Sequence, residues 1–279
     1  MFGKKIKNYK YLIATIIILF ISIKINLIKE HTTLSSNINR ALLESSSLHE
    51  GHPDQIRSRM VGSVVRLSYF SSMMSIMNYG EANLEKISTA TGFSIGYDPD
   101  TNISFVITND HFCERIILDP TSALMAEKSD VARISNDGAS GILSEVVYTS
   151  GEYDLCLIKL FGRVGGVTLA PDGYRPKQFD RIYIIGAPSG NLPIIVETFY
   201  SADIPRDQIS IGSLTDVGEP FLMTSEIVFP GHSGSPIFNN NGQVVGVIFA
   251  SLSSYGGIGI PVRDIYKFIE EANNFKMIE

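Results

Sequence analysis

The chain has 279 residues, 44% of them apolar, enough for one large domain or two ordinary ones around a full core. Its formal charge of -6 is spread over mixed acids and bases, which excludes both a nucleic-acid footprint and an acidic interaction tail.

The N-terminus departs from that average. Lys4, Lys5, Lys7 and Lys10 precede the apolar run "YLIATIIILFISI" from Tyr11 to Ile23, the order of a charged region before a hydrophobic one. As a helix this run rises roughly 20 Å, short of the roughly 30 Å hydrocarbon core, so spanning also requires "KINLI" with Lys24 at the interface. Residues 1–29 are therefore expected to be a signal-anchor or signal peptide with a hydrophobic helix. The protein is then extracytoplasmic, anchored to the membrane by residues 11–28 or secreted. Residues 30–59, rich in Ser, Thr, Asn, Glu and Arg, read as a flexible linker with a helical turn or two in "NINRALLE". Within it, His49, Glu50 and His52 lack a framework to fix further metal ligands, and no metal site is expected.

From Ser63 the texture becomes short β-branched and aromatic runs punctuated by turn residues: "SVVRLSYF", "TGFSIGY", "ISFVIT", "RIILD", "SEVVYT", "LCLIKL", "RIYIIG", "PIIVETF", "SIGSL", "FLMTSEIVF", "SPIFN" and "QVVGVIFAS". A dozen such runs predict an all-β sandwich or barrel pair. "DPDTN", with Asp98, Asp100 and Asn102, opens like a calcium loop but lacks its glycine and its glutamate, so a polar hairpin turn is expected. "PVRDIYKFIEEANNF" sets Val262, Ile265, Phe268 and Ile269 on one stripe and predicts a C-terminal helix.

"FPGHSGSPIF" places Ser233 between glycines on a turn, the setting of a nucleophile if a base and an acid exist elsewhere. Of the five histidines, three lie in the linker and His232 is chain-adjacent to the serine, leaving His111 at the close of the strand "ISFVITNDH". Asp154 is the aspartate that opens a near-continuous apolar strand, "DLCLIKL", where it is shielded enough to orient an imidazole.

With these residues in place the chain resembles the trypsin-like, chymotrypsin-fold serine proteases. "TNDH", "YDLCLIKL", "PGHSGSP" with "NNNGQVVGV", and "GIGIPV" follow in the family's order over about residues 60–270, nearest in pattern to HtrA/Deg-type and bacterial glutamyl-endopeptidase-like enzymes. The resemblance implies two six-stranded antiparallel β-barrels, about residues 60–165 and 175–260, with a helix at 261–275, within a protease domain of residues 60–279. It implies a serine endopeptidase with His111, Asp154 and Ser233 as catalytic triad, an oxyanion hole from the N–H groups of Gly231 and Ser233, no cofactor, and protein or peptide substrates. The alternative is a catalytically latent protease-fold protein that binds or chaperones, its oxyanion loop collapsed around His232. No PDZ module is expected after the helix.

The departures are informative. His232 stands where digestive relatives carry an aspartate, which removes activation by an ion pair with a new N-terminus. Ile227 and Ile248 stand at substrate-binding positions where trypsin-type and glutamate-specific enzymes carry an aspartate and a histidine, so small or medium apolar P1 residues are expected. Cys113 and Cys156, two residues after His111 and Asp154, fall behind the catalytic pair; small buried apolar side chains are the commoner state of such residues, with a bracing disulfide the alternative.

Overall fold

The computed structural model describes residues 35–42, 53–72, 85–119, 121–128, 141–191, 193–209, 218–226, 228–252 and 256–275. The hydrophobic segment of residues 11–28, the His49–His52 cluster, "SIGSL" and Ile227 lie outside them.

Six strands close the first barrel: β1 (Val64–Ser71), β2 (Glu85–Asp98), β3 (Ile103–Thr108), β4 (Ser122–Lys128), β5 (Ile142–Ser150) and β6 (Leu155–Phe161). Their spatial order is β1-β2-β3-β6-β5-β4, antiparallel throughout. After the two-residue β7 (Thr168–Leu169), the second barrel is built from β8 (Arg181–Gly186), β9 (Ile194–Ile204), β10 (Phe221–Thr224), β11 (Pro236–Phe238), β12 (Gln243–Leu252) and β13 (Gly256–Pro261). It closes where β11 pairs with both β8 and β12, and β7 adds to β12 in parallel.

The apolar runs are continuous rather than alternating because both faces of their strands are covered. In β3, Val106 faces the interior of the first barrel, whereas Phe105 and Ile107 join a core shared by the two barrels and the helices. In β12, Val245 and Ile248 fill the second barrel while Val244, Val247 and Phe249 face the shared core. That shared core locks the barrels against each other.

Helices complete the fold. A first, α1 (residues 35–42), buries Ile38 and Ala41 in the shared core, and its Arg40 bridges Asp98 and Asp100. The stretch expected to be a loose linker is thus docked in part, because "NIxxA" places two apolar residues on one helical face. Gly96 permits the docking, since a Cβ there would lie 2.1 Å from Ala41 O. The "DPDTN" turn is the β2–β3 hairpin, with Asn102 at φ 55° and the carboxylates engaged by Arg40. The second helix, α2 (Pro53–Gly62), leads into β1. "RIILD", expected as a strand, is instead the end of α3 (Asp110–Ile117), whose Phe112, Cys113 and Ile116 turn inward at helical spacing. The C-terminal helix, α4 (Val262–Asn274), buries Val262, Ile265, Phe268 and Ile269 as its stripe predicts. Among the described residues no helix is long and apolar enough to cross a membrane.

Candidate active site

His111 sits in the first turn of α3, three residues beyond the end of β3, and not at the strand end itself. The chain turns at Asn109, a buried residue whose Nδ2 donates to Asp154 O at 3.0 Å. Asp154 precedes β6 in a left-handed conformation, φ 52°, which a non-glycine residue adopts at a cost. Its carboxylate receives two donors from one residue: Oδ1 accepts the His111 backbone N–H at 2.9 Å, and Oδ2 lies 2.8 Å from Nδ1. A carboxylate accepting Nδ1–H leaves Nε2 as the basic nitrogen, on the half-exposed side of the ring.

The electrostatics follow from this contact. Burial pushes the imidazole pKa down, but the hydrogen bond and the negative charge of Asp154 outweigh it, and His111 titrates above the ordinary histidine value. The neighbouring Asp110 is raised, first by burial and then by the charges of Asp154 and Glu114.

Cys113 and Cys156 are joined in a disulfide, not free as expected. The inward face of α3 brings Cys113 over β6, with the two Cα atoms 6.4 Å apart, inside bridging range. The bridge ties the helix carrying His111 to the strand that follows Asp154.

Ser233 lies in the loop between β10 and β11, and two glycines allow that loop to reach the first barrel. A Cβ at Gly234 (φ 81°) would lie 2.0 Å from Thr91 O and 2.3 Å from Thr108 Oγ1. A Cβ at Gly231 (φ 96°) would lie 2.4 Å from Ala187 O. The serine turn is therefore pressed against Thr108, three residues before His111. Among the described residues the Ser233 hydroxyl has no hydrogen-bond partner.

The two N–H groups expected to form the oxyanion hole are oriented by their own peptides. Pro230 O accepts the Ser189 N–H at 2.7 Å and His232 O accepts the Ser235 N–H at 2.8 Å. An N–H and the C=O of the same peptide point in opposite directions. Gly231 N–H and Ser233 N–H accordingly face away from those partners, and among the described residues neither has an acceptor. Ser189 itself is held in a strained turn at φ 53°, and Arg66 from the first barrel reaches the carbonyl of the next residue, Gly190.

His232 is buried behind this loop. Its Nδ1 lies 3.1 Å from Phe229 O, its Nε2 has no partner among the described residues, and burial lowers its pKa despite that backbone contact. Ile248 is buried with Val228, and both pack against Gly257, where a Cβ would lie 3.0 Å from Val228 Cγ1 and 3.3 Å from Ile248 Cδ1. Asn109, Thr91 and the 187–191 turn were missed from the sequence; "RIYIIG" marked only the strand before that turn, and nothing in "ATGFSIG" distinguished Thr91 from an ordinary strand residue.

The model of the trypsin-like peptidase domain matches residues 90–247, more than half the chain and the whole span from Thr91 to the serine turn. The chain belongs to the trypsin-like peptidase family. Within it, the chain is similar to a probable periplasmic serine endoprotease, DegP-like, of Pseudomonas putida (strain W619), 25% identical over 189 residues that make up 66% of this chain and 34% of that protein. The proteins described in the same words from Marinomonas sp. and Chlamydia trachomatis are 24% and 28% identical over 62% and 61% of this chain. The chain spans about a third of the length of these curated relatives.

Proposed function

We propose that the protein is a serine endopeptidase in which Ser233 is the nucleophile, His111 the general base and acid, and Asp154 the group that orients it. The observation that carries this reading is the double grip of Asp154 on His111, through the backbone N–H and through Nδ1, at the place where the serine turn meets the first barrel. Family membership supports the same reaction class.

In the reaction, Ser233 Oγ attacks the peptide carbonyl while His111 Nε2 takes its proton, forming a tetrahedral adduct whose oxyanion is received by Gly231 and Ser233 N–H. The imidazolium then gives that proton to the departing amine, leaving an acyl-enzyme. A water molecule, deprotonated by the same nitrogen, releases the acid. The held carbonyl of Pro230 supports an open hole over a latent protein with its loop collapsed. Apolar Val228 and Ile248 beside Gly257 support small or medium apolar P1 residues. The periplasmic naming of the relatives and the disulfide together support an extracytoplasmic site of action, with residues 11–28 as anchor or signal.

A peptide library digested by the full chain and read by mass spectrometry tests the reading. The expected cleavages follow Ala, Val or Leu-sized residues and vanish with Ser233→Ala. Cleavage mainly after Arg, Lys or Glu contradicts the specificity, and cleavage that survives Ser233→Ala contradicts the nucleophile.

A further inference from the structure

Thr91 lies in the middle of β2, fully buried, and each of its polar atoms bonds a segment of the site. Its N–H donates to Ser233 O at 2.8 Å. Its carbonyl accepts the Thr108 hydroxyl at 2.7 Å, at the end of the strand that leads to His111. Its Oγ1 donates to Gly231 O at 2.7 Å and accepts the Ala187 N–H at 2.9 Å. One hydroxyl proton and the oxygen's lone pairs allow both contacts at once.

The bond to Gly231 O acts on the peptide between Gly231 and His232. That peptide separates the two whose N–H groups face the open side, Pro230–Gly231 and His232–Ser233. Fixing its plane therefore fixes how the two N–H groups stand relative to each other. Gly231 has no Cβ and a positive φ, so the loop holds little resistance of its own to rotation there. The restraint comes from outside the loop, from a hydroxyl on the first barrel.

We propose that Thr91 is a positioning residue that presets the oxyanion hole across the barrel interface, by binding Gly231 O through its side chain and Ser233 O through its N–H. The proposal rests on the reading of Ser233 as nucleophile for its catalytic consequence, but its structural content stands separately. Valine has threonine's shape and suits a strand, so Thr91→Val removes the hydroxyl with little change in packing; Thr91→Ser keeps it.

The test has two readouts on the full chain. The first is peptide hydrolysis. Loss of one oxyanion donor typically costs about 10²–10³ in kcat, so Thr91→Val is expected to lower kcat by at least about tenfold with KM little changed, and Thr91→Ser to retain most of the activity. The second is hydrogen exchange by mass spectrometry in a Ser233→Ala background, where Thr91→Val is expected to speed exchange in residues 229–235 at least about tenfold and to leave α4 unaltered. Faster exchange in a protein that proves inactive upholds the brace and removes the nucleophile reading. Unchanged exchange overturns the brace, as does a Thr91→Val enzyme with wild-type kcat, or one whose defect is entirely in KM. Failure of Thr91→Ser to restore kcat also overturns it.

Discussion

His111 and His232 titrate in opposite directions, and each direction is testable. Burial depresses His111 while the hydrogen bond and charge of Asp154 raise it further, so the base becomes neutral only above the ordinary value of 6.5. Since attack requires neutral Nε2, kcat/KM is expected to rise with pH through that elevated pKa; a flat profile, or a midpoint below 6.5, contradicts the assignment. Asp154→Asn leaves one acceptor oxygen for the two N–H groups and turns an NH2 toward the imidazole, which forces the other tautomer, and is expected to lower kcat by about 10⁴. His232 behaves in the reverse sense. Burial holds its folded pKa below the unfolded value near 6.5, so the folded state resists a proton that the unfolded chain takes up. Its contribution to stability is present above pH 6.5 and declines as pH falls through the folded pKa. His232→Asn is expected to flatten the acid limb of a plot of melting temperature against pH, and an unchanged limb would place the acid sensitivity elsewhere.

At the level of elements, two covalent or ionic ties fasten parts that the hydrophobic pattern alone leaves adjustable. The disulfide closes a loop with a sequence separation of 43 residues between α3 and β6. Chain entropy then predicts a loss of about 2–4 kcal/mol for the Cys113→Ala/Cys156→Ala variant, read by urea denaturation. In the second barrel, buried Asp264 at the start of α4 pairs with buried Arg206, whose guanidinium also lies over the Phe221 ring. Burial raises the Asp264 pKa, opposed by Arg206 and Lys267. Arg206→Ala leaves that buried carboxyl only Lys267 and the Glu219 N–H and is expected to cost about 3–5 kcal/mol, while Arg206→Met with Asp264→Leu recovers most of the loss. If the double variant is as unstable as the single one, the pair itself and not the stranded charge sets the stability. These ties also show where the sequence was legible. Strands covered on both faces announce themselves as unbroken apolar runs, and the α4 stripe is a clean helical period. "RIILD" was misread because five residues are too few to distinguish a strand from the last turn of a short helix. The positions of the two cysteines brought them near each other, but only the helical turn of α3 across β6 decides between a bridge and two free thiols.

For the whole molecule, the joining of the two barrels depends on the shared core, and α1 is part of that core. Ile38→Ala is expected to destabilise the protein by about 2–5 kcal/mol, and a chain beginning at residue 60 loses both Ile38 and Ala41. The polar look of residues 30–59 concealed this, because two apolar residues on one helical face barely alter local composition. The triad candidates were legible for the opposite reason: few histidines exist to choose among, and each candidate stands beside a recognisable apolar strand. The brace from Thr91 was not, since a bond between a strand hydroxyl and a loop 140 residues away leaves no local mark.

The central claim is that Ser233 is activated by His111, and labelling of the full chain with a fluorophosphonate probe, read by intact mass, tests it most directly. One probe per folded chain is expected, lost in Ser233→Ala and in His111→Ala. A folded wild-type chain that takes up no probe, or a Ser233→Ala chain that still does, would contradict it.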